Sequence, residues 1–308
     1  MNVTVIDPGA TLGVLGGGQL GAMFATVARR MGYAIAVWDP DPEAPAHRIA
    51  DYSFTTPFTD ADTRKEFPRR VRAVTYEWEN VPADLCEQLE LDVPVRPSSH
   101  VLRVIQDRIE QKTFLRSHGL AVPAFSTLSS PDELGRQTIP PYPLVCKTAT
   151  AGYDGKGQWK ILRAEDCLAV QQELARNARP DSRWILEEWL PFERELSILV
   201  VRGADGAAQT YPLVENVHED GILRQTIVPA DVPEAVAGLA ATMARDAVQA
   251  LDGVGVFCVE LFLMADGRLV INEIAPRPHN SGHYTLDACT VSQVEQQLRT
   301  LCRLPLAE

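Results

Sequence analysis

The 308-residue chain is short of positive charge: 29 lysines and arginines stand against 41 aspartates and glutamates, a formal net charge of −12. That balance argues against a nucleic-acid surface, so any bound anion has to be held by local cations. No apolar run approaches a membrane span, and the first residues lack the basic and apolar blocks of a secretion signal. The six cysteines, Cys86, Cys146, Cys167, Cys258, Cys289 and Cys302, include no CxxC pair. Several lie in apolar strand-like runs and read as buried reduced thiols, which excludes a disulfide framework and a thiolate zinc site. The phosphate-loop pattern GxxxxGK[ST] is missing, as are internal repeats and low-complexity tracts. A cytoplasmic enzyme of two or three domains is the expectation.

What is present begins with an apolar strand at Thr11–Leu15. It leads into Gly16-Gly17-Gly18-Gln19-Leu20-Gly21 and a helical pattern to Met31 with Leu20, Met23, Phe24, Val27 and Met31 on one face. A strand at Tyr33–Val37 ends at Trp38-Asp39-Pro40, and Val71–Tyr76 leads into Glu77-Trp78-Glu79-Asn80. This alternation predicts a parallel sheet with right-handed crossovers, closing near Arg96-Pro97-Ser98. One helix is expected over about Val101–Ser117, carrying Asp107, Arg108 and Lys112. Beyond the proline-rich Ile139–Pro143 connection, strands at Leu144–Lys147, Trp184–Trp189, Leu196–Val201 and Gly255–Met264 alternate with helices near Glu165–Asn177 and Glu234–Leu251. Few βαβ units occur there, which predicts an α+β half with antiparallel pairing.

Three segments carry chemistry. Asn272-Glu273-Ile274-Ala275-Pro276-Arg277-Pro278-His279-Asn280-Ser281-Gly282-His283 packs a carboxylate, amides, a guanidinium and imidazoles into one stretch. Such groups are costly to bury unpaired, and they suit an anion beside a hard metal ion. The second segment is a hairpin. Asp266-Gly267 between Gly255–Met264 and Leu269–Ile274 predicts a two-residue turn with Ala265 opposite Arg268. Counting back sets Glu260 opposite Glu273, two like charges that a divalent cation such as Mg²⁺ would reconcile; the plain alternative is a solvated strand face. In the third, Lys147-Thr148-Ala149-Thr150-Ala151-Gly152-Tyr153-Asp154-Gly155-Lys156-Gly157, glycines free backbone N–H groups and lysines supply charge, which suits a phosphate cradle; the plain alternative is a flexible surface turn, against which Lys147 at the end of an apolar strand counts.

These segments resemble the ATP-grasp superfamily and, within it, the 5-(carboxyamino)imidazole ribonucleotide synthetase family. The resemblance rests on Tyr153–Gln158, Glu187-Glu188-Trp189-Leu190 and Asn272–His283, with Gly16–Gly21, Thr75–Pro82 and Asn216–Leu223 also similar. It implies an N-terminal Rossmann-like domain over 1–97, a small lid-bearing subdomain over 98–190 and a large subdomain over 191–308. Family members continue beyond Leu304-Pro305-Leu306-Ala307-Glu308, so a small C-terminal domain is expected to be cut short here. The implied reaction activates bicarbonate with ATP to carboxyphosphate and carboxylates the amine of 5-aminoimidazole ribonucleotide, in a homodimer.

By the same resemblance, ATP would be held by Arg108, Lys147, Gly152, Tyr153, Asp154, Gly155, Lys156, Gly157, Gln158, Glu187, Glu188, Trp189, Leu190, Glu195, His218, Asn272 and Glu273. Glu260 and Glu273 would bind Mg²⁺. Arg277, His279 and Asn280 would surround the carboxyl phosphate, with Tyr153 on the lid and Asp154 taking the amine proton. Gln19 and Leu20 at a helix start would hold the ribonucleotide phosphate, and Glu77 and Glu79 its ribose or base. Ala151 stands where the family usually has glycine. Two other readings remain. A formate-using glycinamide ribonucleotide transformylase is a neighbouring ligase, and Gly16-x-Gly18-x-x-Gly21 with Asp39 matches the fingerprint of an NAD-binding oxidoreductase.

Overall fold

Short apolar runs alternating with amphipathic helices build a parallel sheet from the N-terminal third. The computed structural model describes residues 4–136, 141–150, 157–219 and 221–307. In it, β1 (Thr11–Leu15), α1 (Gln19–Arg30), β2 (Ala34–Trp38), β3 (Tyr52–Phe54), α2 (Ala61–Arg70), β4 (Val74–Tyr76) and α3 (Ala83–Leu89) give a sheet of order β3-β2-β1-β4, parallel throughout. On α1 the buried stripe is Gly21, Phe24, Ala25 and Ala28, with Leu20, Met23 and Val27 only half-buried. The stripe is rotated from the expected one because small residues let the helix lie close on the sheet.

A helix break replaces the single helix expected over Val101–Ser117. α4 (Ser99–Ile105) ends before Asp107, and α5 (Arg108–Ser117) starts after it. The Asp107 carboxylate accepts the N–H groups of Ile109 at 2.8 Å and Glu110 at 3.2 Å, so it caps a new helix instead of continuing the old one. Arg108 therefore sits in the first turn of α5, and Lys112 one turn further on.

Two antiparallel sheets follow. β5 (Phe125–Leu128), β6 (Leu144–Thr148), β7 (Gln158–Ile161) and β8 (Trp184–Glu188) pair in the order β5-β8-β6-β7, covered by α6 (Cys167–Asn177). The larger sheet contains β9 (Phe192–Arg202), β10 (Ala208–Thr210), β11 (Val214–Glu219), β12 (Ile222–Ile227), β13 (Gly255–Met264) and β14 (Leu269–Ala275). Its order is β12-β11-β9-β13-β14, with β10 paired to β9. Between β12 and β13, α7 (Glu234–Ala250) buries Ala240, Ala244, Ala247 and Val248, a helical stripe, against Ile198, Val200, Phe257, Val259 and Leu261. The opposite face of β13 carries Cys258, Glu260 and Phe262.

After α8 (Thr285–Ala288), α9 (Gln293–Cys302) turns back to the first sheet. Val294, Leu298 and Leu301 share a core with Leu12, Val14 and Phe24. Arg96 donates to the carbonyls of Thr300 and Leu301 at 3.1 Å each. Gln297 donates to Thr75 Oγ1 at 2.8 Å while its Oε1 accepts the Val256 N–H at 2.7 Å. One buried side chain thus ties β4 to β13 and fixes the two sheets that frame the site. No described helix is long and apolar enough to cross a membrane.

Candidate active site

The β13–β14 hairpin reaches its expected pair by an unexpected route. Met264 and Arg268 close the turn, through the Met264 N–H to the Arg268 carbonyl at 2.9 Å and the Gly267 N–H to the Met264 carbonyl at 2.8 Å. The loop is therefore Ala265–Gly267, three residues long, with Gly267 at φ +82°. Ala265 does not face Arg268, and Leu261 pairs with Ile271, one residue out of the predicted register. A β-bulge then leaves Asn272 as an extra residue, and Glu260 does face Glu273. The two offsets cancel.

Each carboxylate already has a cation. Glu260 Oε1 lies 3.1 Å from His279 Nε2, and Glu273 Oε2 lies 3.6 Å from Arg108 Nη2. The repulsion expected between them is thus relieved within the protein, and by itself it does not demand a metal. Asn272 bears on the question differently. Its Nδ2 donates to Glu260 Oε2 at 3.4 Å, whereas its Oδ1 is buried without a hydrogen-bond partner among the described residues. Burial pushes the Glu260 pKa up, but His279 and His218 outweigh it and hold the group ionised below its ordinary value. Burial likewise works against a charged His279, yet the neighbouring Cys258 and Glu260 hold its pKa well above normal. His279 Nδ1 contacts Ser281 Oγ at 2.9 Å. From Ser281 a chain of hydrogen bonds, buried as far as Asn216, continues through Ser197 at 2.8 Å, Asn216 at 2.9 Å and Thr226 at 3.1 Å, crossing three strands. No group of three or more His, Cys, Asp or Glu side chains set to hold a metal occurs among the described residues.

On the smaller sheet, Lys147 Nζ donates to Glu187 Oε2 at 2.6 Å. Glu187 points inward and is 1% exposed, while Glu188, Trp189 and Leu190 form a half-buried strand end. The backbone N–H groups of Glu188 and Trp189 are taken by the carbonyls of Ala124 at 2.9 Å and Pro143 at 3.0 Å. Lys160 caps the Trp189 ring at 4.2 Å. His218 Nδ1 lies 2.7 Å from Glu195 Oε2, a hydrogen bond that raises the His218 pKa against the effect of burial. The Gly157 carbonyl accepts the Thr148 N–H at 2.9 Å, and Gln158 pairs with Lys147. Ala151, Gly152, Tyr153, Asp154, Gly155 and Lys156 lie outside the described residues.

The N-terminal loop borders the same region. Gly16 has φ +92°, and a Cβ on Gly21 would collide with the Gly16 carbonyl oxygen, so both are required by the backbone. Gly18, the uncapped residue before α1, meets nothing and opens to solvent beside Gln19 and Leu20. Asp39 accepts the N–H groups of Gly17 at 2.6 Å and Asp41 at 2.8 Å, so both its oxygens brace the loop. An NAD ribose would have to compete for that carboxylate. At the end of β4, Glu77 is 6% exposed with neither oxygen hydrogen-bonded among the described residues. Burial raises its pKa to about 8, with Arg277 pulling partly the other way. Glu79 instead reaches across to Arg277, whose Nε and Nη2 lie 2.6 and 2.5 Å from its Oε2. Asn280 is exposed beyond His279, and His283 is half-buried near Gln293, its pKa lowered by burial. The Glu79–Arg277 pair and the Ser281 chain had no signal in the sequence, because they join residues far apart along it.

Two antiparallel sheets joined to a parallel-sheet domain are the architecture of an ATP-grasp enzyme. The model of the ATP-grasp domain matches residues 113–294, and that of the ribonucleotide synthetase preATP-grasp domain matches residues 9–106. The N5-carboxyaminoimidazole ribonucleotide synthase of Bacillus subtilis (strain 168) is 40% identical over 310 residues, covering 100% of this chain and 80% of that protein. An N5-carboxyaminoimidazole ribonucleotide synthetase solved as its ADP complex superposes with a TM-score of 0.94 at 39% identity, over 100% of this chain and 80% of that one. The Aspergillus clavatus synthase, solved with ADP and 5-aminoimidazole ribonucleotide, gives 0.87 at 34% identity, over 97% and 78%. The chain belongs to the N5-carboxyaminoimidazole ribonucleotide synthase family, ATP-binding ligases of purine biosynthesis.

Proposed function

We propose that this protein joins bicarbonate to the 5-amino group of 5-aminoimidazole ribonucleotide at the expense of ATP. A bicarbonate oxygen attacks the γ-phosphorus and ADP leaves. The amine then takes the carboxyl group from carboxyphosphate, inorganic phosphate leaves, and Asp154 accepts the amine proton. The observation that carries this reading is the guanidinium of Arg277, which already holds a carboxylate, that of Glu79, between the N-terminal loop and the Glu260–Glu273 edge. Bicarbonate, a planar anion of the same charge as a carboxylate, takes the place of Glu79 on that guanidinium and frees Glu79 for the ribonucleotide.

The remaining roles are those that the likeness to the family implies. Lys147 and Arg108 face the ATP phosphates, the main chain of the Glu187–Leu190 strand end meets the adenine, and Glu195 with His218 takes the ribose. Gly152, Tyr153, Asp154, Gly155, Lys156, Gly157 and Gln158 are assigned to ATP, and His279 and Asn280 to the bicarbonate seat. Gln19 and Leu20, beside the open Gly18, receive the ribonucleotide phosphate at the start of α1. Glu77 and Glu79 meet its ribose or base. Glu260, Glu273 and the unpaired Asn272 Oδ1 are oxygen donors suited to Mg²⁺, which when bound neutralises phosphate charge. We divide the chain into units at 1–97, 98–190 and 191–308, and assign it to the cytoplasm as a homodimer; light scattering checks the last point.

A coupled ADP-release assay tests the reaction. ADP formation should require Mg²⁺ and bicarbonate and rise when 5-aminoimidazole ribonucleotide is added. No rise with that ribonucleotide, or a rise only when formate replaces bicarbonate, would sink the assignment.

A further inference from the structure

Lys112 has no part in the reading above, yet it is among the largest fully buried side chains of the chain. It projects from α5 one turn beyond Arg108, and its side chain is 2% exposed. Its counter-ion is Glu187 on β8, also 2% exposed, with Oε1 at 3.3 Å. The second oxygen of that carboxylate takes Lys147 Nζ at 2.6 Å. Two cations therefore share one anion in the interior, and the trio keeps a surplus positive charge. A stability role alone does not account for it, since a single lysine matched to the glutamate, or an apolar residue in place of Lys112, would avoid burying an unmatched charge. The next carboxylate, Glu273, is already engaged by Arg108 at 3.6 Å.

The surplus is expressed at Lys147. Of the two lysines it is the more exposed, 11% against 2%, and it stands near the end of β6. Arg108 meets that same strand end through its N–H to the Ala149 carbonyl at 2.8 Å. We propose that Lys112 is a positioning residue for the nucleotide: by occupying one oxygen of Glu187 it stops that carboxylate from neutralising Lys147, which leaves a whole cation directed at the ATP phosphates. Without Lys112 the Lys147–Glu187 pair is neutral overall, and an approaching polyphosphate meets a dipole instead of a charge. The inference rests on the placement of the phosphates at Lys147 proposed above.

Lys112→Met removes the charge at nearly constant length and volume. Titration calorimetry with ADP should show affinity weakened about tenfold or more, the loss typical of a charged contact. The KM for ATP should rise in step, while the KM for bicarbonate stays put. Adding Glu187→Gln to Lys112→Met separates charge from packing. With the neutralising carboxylate gone, Lys147 is released and ADP affinity recovers toward that of the unmodified protein. A packing role predicts no recovery. Unchanged ADP affinity in Lys112→Met, or a double variant no tighter than the single one, overturns the proposal. Should Lys112→Met not fold, Lys112→Gln with and without Glu187→Gln gives the same comparison. An unmodified protein that binds no ADP would overturn the functional reading as well, and is told apart by that control.

Discussion

Glu77 should make the folded protein lose stability as pH rises, in a window set by its own carboxyl group. It lies at the end of β4, almost wholly buried, with no hydrogen bond to either oxygen among the described residues. Burial lifts its pKa from 4.5 to about 8. Between those values the folded chain binds a proton that the unfolded chain has released. Its stabilising contribution is thus complete below about pH 4.5 and is lost as pH climbs through about 8. The full shift corresponds to about 5 kcal/mol. That figure is a ceiling, because local opening admits water and relaxes the penalty, so about 2 kcal/mol or more is expected. Glu77→Gln keeps the shape and does not ionise. Urea unfolding at pH 5 should find the two proteins close in stability, and at pH 8.5 the glutamine variant should be the more stable by that amount. Parallel stability curves across the range would refute the reasoning. At neutral pH the protonated carboxyl can also donate a hydrogen bond, which suits a sugar hydroxyl.

Two further changes probe the site and its frame. Glu273→Gln should weaken Mg²⁺-dependent ADP binding about tenfold or more while moving the melting temperature little, since its pair with Arg108 is partly exposed, at 41% for the glutamate side chain; a large melting shift with unchanged binding would return the residue to a structural role. Gly21→Ala drives a methyl group into the Gly16 carbonyl and should cost about 2 kcal/mol or more in urea unfolding, where unaltered stability would mean the loop can relax.

Local pattern announced the elements with long apolar runs, β1, β13, β14 and α7 among them. It did not announce β12, whose exposed Ile222–Ile227 sequence is a strand because β11 pairs with it, not because of its own hydrophobicity. The break at Asp107 was written in the sequence as a capping residue but masked by apolar periodicity on both sides. A register set from Asp266-Gly267 pairs Glu260 with Glu273, although it contains neither the longer turn nor the bulge at Asn272. A bulge depends on cross-strand geometry, which a count along one chain does not contain. Lys112, Glu79 and Ser281 owe their partners to tertiary folding, so their residue types alone carried no message.

The return of α9 to the first sheet has a consequence for how this chain comes off the ribosome. Leu12, Val14 and Phe24 emerge early, but the residues that cover them, Val294, Leu298 and Leu301, are made about 280 residues later. The N-terminal sheet must therefore wait, partly bare, until that stretch has been made, and its core closes only when α9 arrives. When it does, Gln297 joins β4 to β13 in the same step. Completion of the first sheet and alignment of the two halves of the active site are then a single late event.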